Sequence, residues 1–213
     1  MNAPELRRDP VIGRWVIIAP GRERRPVEQT PAFHDEVPAE CPFCPGAESS
    51  TPPEIVARTD ADGRWRKRVF ASRAPIVSPD EELVRQGEGM FDMVSGFGVH
   101  EVIVDSPRHD ETLATMSPDD LAELVGLWRD RILALKKEPR FRCITLYANR
   151  GLASGATISH SHSQLIATPI MPRRLAGEIS RSYTYFQSKE RCIFCDLVER
   201  ESEGERTVFA NDA

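Results

Sequence analysis

The sequence predicts a mixed α+β domain, and three observations lead there. Short apolar or alternating runs, bounded by Pro, Gly and Asp turns, recur between Arg14 and Ile166, and runs of that kind read as strands. A long stretch after Ser117 carries apolar residues at helical spacing, and a second follows Pro172. Between them lies NRGLASGATISHSHSQLI, residues 149–166, a glycine-containing loop that leads straight into strict alternation.

The bulk properties set limits. A chain of 213 residues with 40% hydrophobic and 29% charged residues has room for one large domain or one and a half. A net charge of −5 argues against general nucleic-acid binding, which needs a basic footprint. No apolar run reaches the roughly 18 residues of a membrane span, and MNAPELRRDP lacks the apolar core of a secretory signal. A cytoplasmic location is expected. Five cysteines include two C-x-x-C pairs, which in a reducing compartment suggest metal or redox work before a disulfide framework.

In chain order, Arg14–Ile18 reads as a strand after the Asp9-Pro10 turn. Pro20-Gly21 and the basic cluster Arg22, Arg24, Arg25 follow, which by themselves describe a solvated turn. Residues 27–40 are loop-like and lead to Cys41-Pro-Phe-Cys44-Pro-Gly, a tight knuckle suited to tetrahedral zinc. A redox dithiol and a metal-free knuckle stay open, although the proline-rich surroundings do not offer the strand-to-helix setting of the former. Trp65–Ala71 and Val99–Asp105 read as strands, the second running into Ser106-Pro107-Arg108-His109. Ser117, Pro118 and Asp120 approximate a capping box. The stripe Leu121, Leu124, Val125, Trp128, Ile132, Leu135 then packs a helix on the sheet as core. Phe141–Tyr147 is the next strand, with Cys143 as a plain core residue. Beyond Pro172, the spacing of Leu175, Ile179, Tyr183 and Phe186 predicts another amphipathic helix. The second knuckle, Cys192-Ile-Phe-Cys195, follows, then a charged segment and the start of a strand at Thr207–Phe209.

The alternating run is where the chemistry concentrates. Residues two apart on a strand share a face, so His160, His162 and Gln164 should line one surface. The loop holding Gly151 and Gly155 lets main-chain N–H groups approach an anion. Imidazoles beside such a loop suit attack by a ring nitrogen on a phosphate. The bland alternative is a polar edge strand with incidental histidines.

His-Ser-His-Ser-Gln followed by Leu-Ile resembles the histidine-triad superfamily, and within it the branch of galactose-1-phosphate uridylyltransferases and their relatives. RDPVIGRWVIIAPGRERRP is similar to that family's N-terminal signature. The hydrolases of the superfamily carry a third histidine where this chain has Gln164. A glutamine holds a phosphoryl oxygen but shuttles no proton at neutral pH, so the resemblance points to transfer. Many uridylyltransferases read HPHGQ, and HSHSQ is closer to ADP-glucose phosphorylase-like members. Ser72-Arg73-Ala74-Pro75 stands where relatives usually read Asn-x-Phe-Pro beside the nucleoside.

The resemblance implies a histidine-triad-like half-barrel of antiparallel strands with packed helices. Residues 1–172 would form the N-terminal domain, and 173–213 the start of a second half that follows in relatives. It implies Zn2+ on Cys41, Cys44, His109 and His160, a closed structural set, with His100 a weaker candidate ligand. His162 would be the nucleophile and Gln164 its catalytic neighbour. Arg22, Arg25, Asn149, Ser154, Gly155 and Gln164 would hold phosphate and nucleotide.

The expected function is a nucleotidyltransferase of hexose metabolism, moving UMP between UDP-glucose and galactose 1-phosphate through a nucleotidyl-histidine. The expected partners are therefore a nucleotide sugar and a sugar 1-phosphate. An ADP-glucose phosphorylase-like adenylyltransferase is the first alternative. A histidine-triad hydrolase, disfavoured by Gln164, and an inactive zinc-stabilised nucleotide-binding half-module are the others. Cys192 and Cys195 supply only two ligands of a second, incomplete metal site. Apolar Ile193, Phe194, Val208 and Phe209 are expected to lack partners and to favour association, a homodimer being the simplest form.

Overall fold

The computed structural model describes residues 3–8, 15–20, 41–205 and 207–210. Two sheets and three helices make a mixed α+β fold, as the periodicities imply. The strands are β1 (Glu5–Arg8), β2 (Trp15–Ile18), β3 (Glu54–Thr59), β4 (Trp65–Ala71), β5 (Arg85–Glu88), β6 (Phe91–Ser95), β7 (Val99–Val104), β8 (Cys143–Ala148) and β9 (His162–Thr168). The helices are α1 (Pro118–Leu135), α2 (Arg173–Lys189) and α3 (Ile193–Glu201). No helix among the described residues is long and apolar enough to cross a membrane.

The larger sheet has the order β3-β4-β7-β9-β8, and the smaller β2-β1-β6-β5. Every paired strand is antiparallel. At the centre of the larger sheet, Val104 lies opposite His162 and Val102 opposite Gln164, while β8 places Tyr147 opposite Gln164. Gly98 makes the entry to β7 possible. A Cβ there would sit 2.5 Å from the Ala167 carbonyl oxygen and 2.7 Å from Val77 Cγ2.

Alternation divides the central strands between two apolar layers. Val69, Ile103 and Leu165 pack with Leu124 and Leu127 of α1, together with Met116. Phe70, Val102 and Val104 point to the opposite face and pack with Cys41 and Phe43. Burying a side chain of this size contributes about 1.5–3 kcal/mol, so each layer is a substantial part of the fold's stability. Ser117 caps α1: its Oγ accepts from the Asp120 amide at 3.1 Å and donates to the Asp120 carboxylate at 2.6 Å, so the box is half formed. Buried charges on the α1 side are paired. Arg131 reaches Glu101 through two bonds of 2.6 and 3.0 Å, and Lys67 lies 3.8 Å from Glu123 and 3.9 Å from Asp120.

The chain divides into two compact units, Met1–Ile170 and Met171–Ala213. In the second, α2 ends at Glu190, whose φ of 54° sets the left-handed turn into α3. Tyr185 then donates to Asp196 at 2.7 Å, tying the two helices together.

Several expectations change. Residues 207–210 carry no regular structure, where Thr207–Phe209 was expected to begin a strand. A strand needs a partner for its main-chain groups, and the described residues give it none. Helix α3 begins inside the second knuckle, which by sequence reads as a metal loop. The hairpin β5–β6 and strands β1 and β3 lie in stretches with no strong alternation. His160 precedes β9 instead of sharing its pleat, so the three-residue alternating face shrinks to His162 and Gln164.

Candidate functional site

A knuckle and two histidines meet at one end of the larger sheet. Cys41 and Cys44 project from the loop before β3. His109 follows β7, and His160 precedes β9. The four side chains offer ligand atoms that all lie within 4.8 Å of one another, a group that could hold a metal ion. His160 Nδ1 is 3.6 Å from Cys41 Sγ and 3.5 Å from Cys44 Sγ, and His109 Nδ1 is 3.4 Å from Cys44 Sγ. Each imidazole is held from behind. His160 Nε2 donates to the Ser106 carbonyl at 2.8 Å, and His109 Nε2 lies 2.9 Å from Ser159 Oγ. Outer hydrogen bonds of this type fix the tautomer so that Nδ1 faces the ligand cluster.

Burial shapes the electrostatics. Removal from water pushes the Cys41 thiol up to about 12, with the neighbouring Cys44 adding to the shift. Desolvation likewise holds His160 down at about 4. Charge is therefore costly here for the protein alone, and a bound cation would reverse the balance for the thiols. The residues fit a metal by geometry and by donor type.

His162 stands one step from this cluster. Its Nδ1 donates to the His160 carbonyl at 2.8 Å. Neutral imidazole carries one N–H, so Nε2 bears the lone pair. The ring packs edge-on against Phe43 of the knuckle at a centroid distance of 5.2 Å, and Phe43 also meets Phe70 at 5.7 Å. The knuckle thus reaches the His162 ring through its own aromatic residue.

His162 and Gln164 line a pocket whose walls come from four parts of the chain. Phe43, Phe70 and Val102 give an apolar side, while Asn149, Gly155 and Thr157 belong to the loop before β9. Ser72, Arg73 and Ala74 occupy the rim after β4. Gly151 and Gly155 have φ of 82° and 80°, the left-handed values for which glycine is needed. Ser154 does not line the pocket: its hydroxyl donates back to the Gly151 carbonyl at 2.8 Å. Arg22 and Arg25 lie outside the described residues.

Asp105, which has no assigned part in the sequence reading, underpins this strand. Its two carboxylate oxygens accept from Ser161 Oγ at 3.0 Å and Ser163 Oγ at 2.8 Å, the residues on either side of His162. Burial pushes its carboxyl up to about 6 despite those bonds.

His100 is displaced from the role expected as a weaker candidate. It is not among the four clustered ligands, and its Nε2 sits 3.0 Å from Gln164 Oε1. On β7 it shares a face with Val102 and Val104, which directs it under the pocket, while His109 lies beyond the strand. Cys192 and Cys195 sit at the start of α3, both exposed. Among the described residues no third metal-ligating side chain joins them.

Comparison with known proteins shows the family of the chain. The model for the N-terminal domain of galactose-1-phosphate uridyl transferase matches residues 1–172. An ADP-glucose phosphorylase of Arabidopsis thaliana is 32% identical, over 92% of this chain and 57% of its own. A galactose-1-phosphate uridylyltransferase of Thermotoga maritima is 30% identical, over 98% of this chain and 60% of its own. Among solved structures, the Arabidopsis ADP-glucose phosphorylase with bound ADP-glucose superposes with a TM-score of 0.66 at 30% identity, covering 92% of this chain and 58% of that one. A uridylyltransferase superposes with 0.76 at 26% identity, covering 97% and 59%. The chain thus spans less than two thirds of the length of these relatives. Its match over most of its length places it in the galactose-1-phosphate uridylyltransferase family, with residues 1–172 matching the N-terminal domain.

Proposed function

We propose that this chain carries the nucleophilic half of a nucleotidyltransferase acting on nucleotide sugars. The observation that supports it most is the bond from His162 Nδ1 to the His160 carbonyl, which leaves Nε2 as the lone-pair nitrogen of a residue lining the pocket. In the first step that lone pair attacks the α-phosphorus of the nucleotide sugar. The bond from α-phosphorus to the bridging oxygen breaks, and sugar 1-phosphate leaves with the electron pair. As the ring becomes cationic, its Nδ1–H already points at a carbonyl dipole, which stabilises the developing charge without rearrangement. In the second step a phosphate oxygen of the acceptor attacks the same phosphorus and releases Nε2. The two steps give ping-pong kinetics.

Gln164, the loop around Gly155, Asn149, and Arg22 with Arg25 are assigned to the non-bridging oxygens. Ser154 would contribute through its main chain, since its hydroxyl is turned into its own loop. Uridylyl transfer to galactose 1-phosphate is the first reading. Adenylyl transfer is the second, favoured by the similarity to ADP-glucose phosphorylase. Residues 1–172 are taken as one domain and 173–213 as the opening of the next.

The metal is assigned as zinc. Tetrahedral zinc with ligand bonds of about 2.0–2.3 Å places its ligands about 3.3–3.8 Å apart. The three sulfur–nitrogen separations of 3.4, 3.5 and 3.6 Å fall in that range. Two thiolates and two imidazoles leave no open position, so the ion would hold the knuckle against the strand and take no part in the transfer. Free thiol ligands suit a cytoplasmic protein.

Incubating the protein with UDP-glucose or ADP-glucose and weighing it intact tests the reading. A covalent uridylyl or adenylyl adduct supports it and selects the base. No adduct with either, on protein that holds zinc, favours the inactive half-module instead.

A further inference from the structure

Gln164 is held by two side chains that the transfer steps leave without a part. Its Oε1 lies 3.0 Å from the Tyr147 hydroxyl and 3.0 Å from Nε2 of His100. Pairing in the sheet sets this up: Tyr147 is opposite Gln164 on β8, and His100 sits two residues from Val102, the cross-strand neighbour of Gln164 on β7.

The far side of His100 decides the chemistry. The main-chain N–H of Ile76 meets His100 Nδ1 at 3.3 Å. A backbone amide can only donate, so Nδ1 carries the lone pair and the proton is on Nε2. A donor at Nε2 requires an oxygen in front of it. The oxygen and nitrogen of a glutamine amide are hard to tell apart by shape alone, but here a run of donor and acceptor roles, anchored at a backbone amide, assigns them. Tyr147 fills the second lone pair of the same oxygen.

We propose that His100 and Tyr147 are positioning residues that lock the Gln164 amide with its NH2 group turned into the pocket, as a fixed donor to a phosphoryl oxygen. His100 is almost fully buried, at 3% exposure, so its end of the lock is shielded from competing water. An unrestrained glutamine could present its oxygen instead, and two oxygens facing one another would oppose phosphate binding. Holding the donor in place beforehand removes that reorganisation from the reaction. The proposal rests on the transferase reading for the identity of the ligand, but the lock is a property of the three side chains.

Two measurements on the zinc-loaded protein test it. In 15N spectra, His100 should show its proton on Nε2, and a proton on Nδ1 overturns the lock. In calorimetric titrations, His100→Leu and Tyr147→Phe should each weaken binding of UMP or AMP by about 10-fold, as expected for losing a hydrogen bond that orients a charged contact. Affinity for uridine or adenosine, which lack the phosphate, should change less than about 2-fold on the same argument. His100→Gln keeps a donor near the original Nε2 and should recover most of the loss. Equal losses for nucleoside and nucleotide, or no recovery with His100→Gln, would show a merely structural role and sink the proposal. If the unaltered protein binds neither monophosphate, the transferase reading falls, and the His100 proton position alone then decides the lock.

Discussion

The two C-x-x-C knuckles share their spacing and even a phenylalanine before the second cysteine, yet the fold treats them in opposite ways. Cys41 is 5% exposed, and Phe43 packs on Phe70 and His162. Cys192 and Cys195 are exposed, and Phe194 is 57% exposed. The first pair meets His109 and His160, delivered by the end of β7 and the approach to β9, whereas no third donor joins the second pair among the described residues. The motif therefore supplies two ligands and no more. Whether it becomes a site depends on a sheet that brings distant residues to it.

The largest expected effect separates the knuckles by their contribution to folding. Cys41→Ser should lower stability by at least about 5 kcal/mol, because structural zinc contributes an apparent binding energy of roughly 10–16 kcal/mol. The variant should also lose its metal by elemental analysis. Protein as stable as wild type with one fewer ligand would break the contrast, since the first knuckle would then be as dispensable as the second.

Next comes the division of labour between the two histidines. His162→Ala should abolish adduct formation and reduce turnover at least about 10^4-fold, the scale seen on losing a nucleophile, while zinc content stays near one per chain. His160→Ala should lose zinc first and activity as a consequence. Mass spectrometry and metal analysis on the same samples check both. An adduct that persists without His162 would place the nucleophile elsewhere.

How much of this could be read from residues alone follows the same line. The four clustered ligands were legible because a family resemblance linked a local C-x-x-C to histidines 65 and 116 positions or more away. Nothing in the spacing of Cys41 and Cys44 could choose those partners. His100 was misread as a weaker metal ligand because it is near His109 in sequence. Its parity with Val102 and Val104 on β7 carried the better answer. Tyr147 and Asp105 were invisible as site residues, one ending an apolar strand and the other closing one. The hairpin β5–β6 was missed because Arg85–Glu88 is exposed throughout and shows no apolar alternation. Thr207–Phe209 had the composition of a strand, but composition provides no neighbour to pair with.

Asp105 sharpens the comparison because it belongs to the scaffold that the second knuckle lacks. It fastens Ser161 and Ser163 and so fixes the backbone on either side of His162. Its folded-state value of about 6 is raised above the ordinary 3.8, chiefly by desolvation. The folded protein then binds more protons than the unfolded chain between about pH 4 and pH 6. This group's contribution to stability is full below that window and is lost as pH rises through it. The loss amounts to about 3 kcal/mol by pH 7. Asp105→Asn cannot titrate, so relative to wild type it should gain about that much between pH 4 and pH 7. Urea melts across that range, with zinc in excess, measure the difference. Parallel curves for the two proteins would show that Asp105 does not titrate as a buried carboxylate.

The smallest expected effect is on the second knuckle itself. Cys192→Ser should change the stability of the chain by no more than about 0.5 kcal/mol, as is usual for exposed positions without buried partners. Its chemistry should nevertheless be distinct. The main-chain and side-chain groups of Cys195 lower the Cys192 thiol below its ordinary value, while the same contact raises Cys195. Thiolate is the reactive form, so a limiting dose of iodoacetamide at neutral pH should label Cys192 ahead of Cys195. Cys41 and Cys44 should resist until zinc is stripped. Peptide mapping of the labelled protein reads all four thiols in one experiment. If Cys192 and Cys195 were protected to the same extent as Cys41 and Cys44, the second knuckle would have found ligands of its own. The difference between the two knuckles would then be one of position alone.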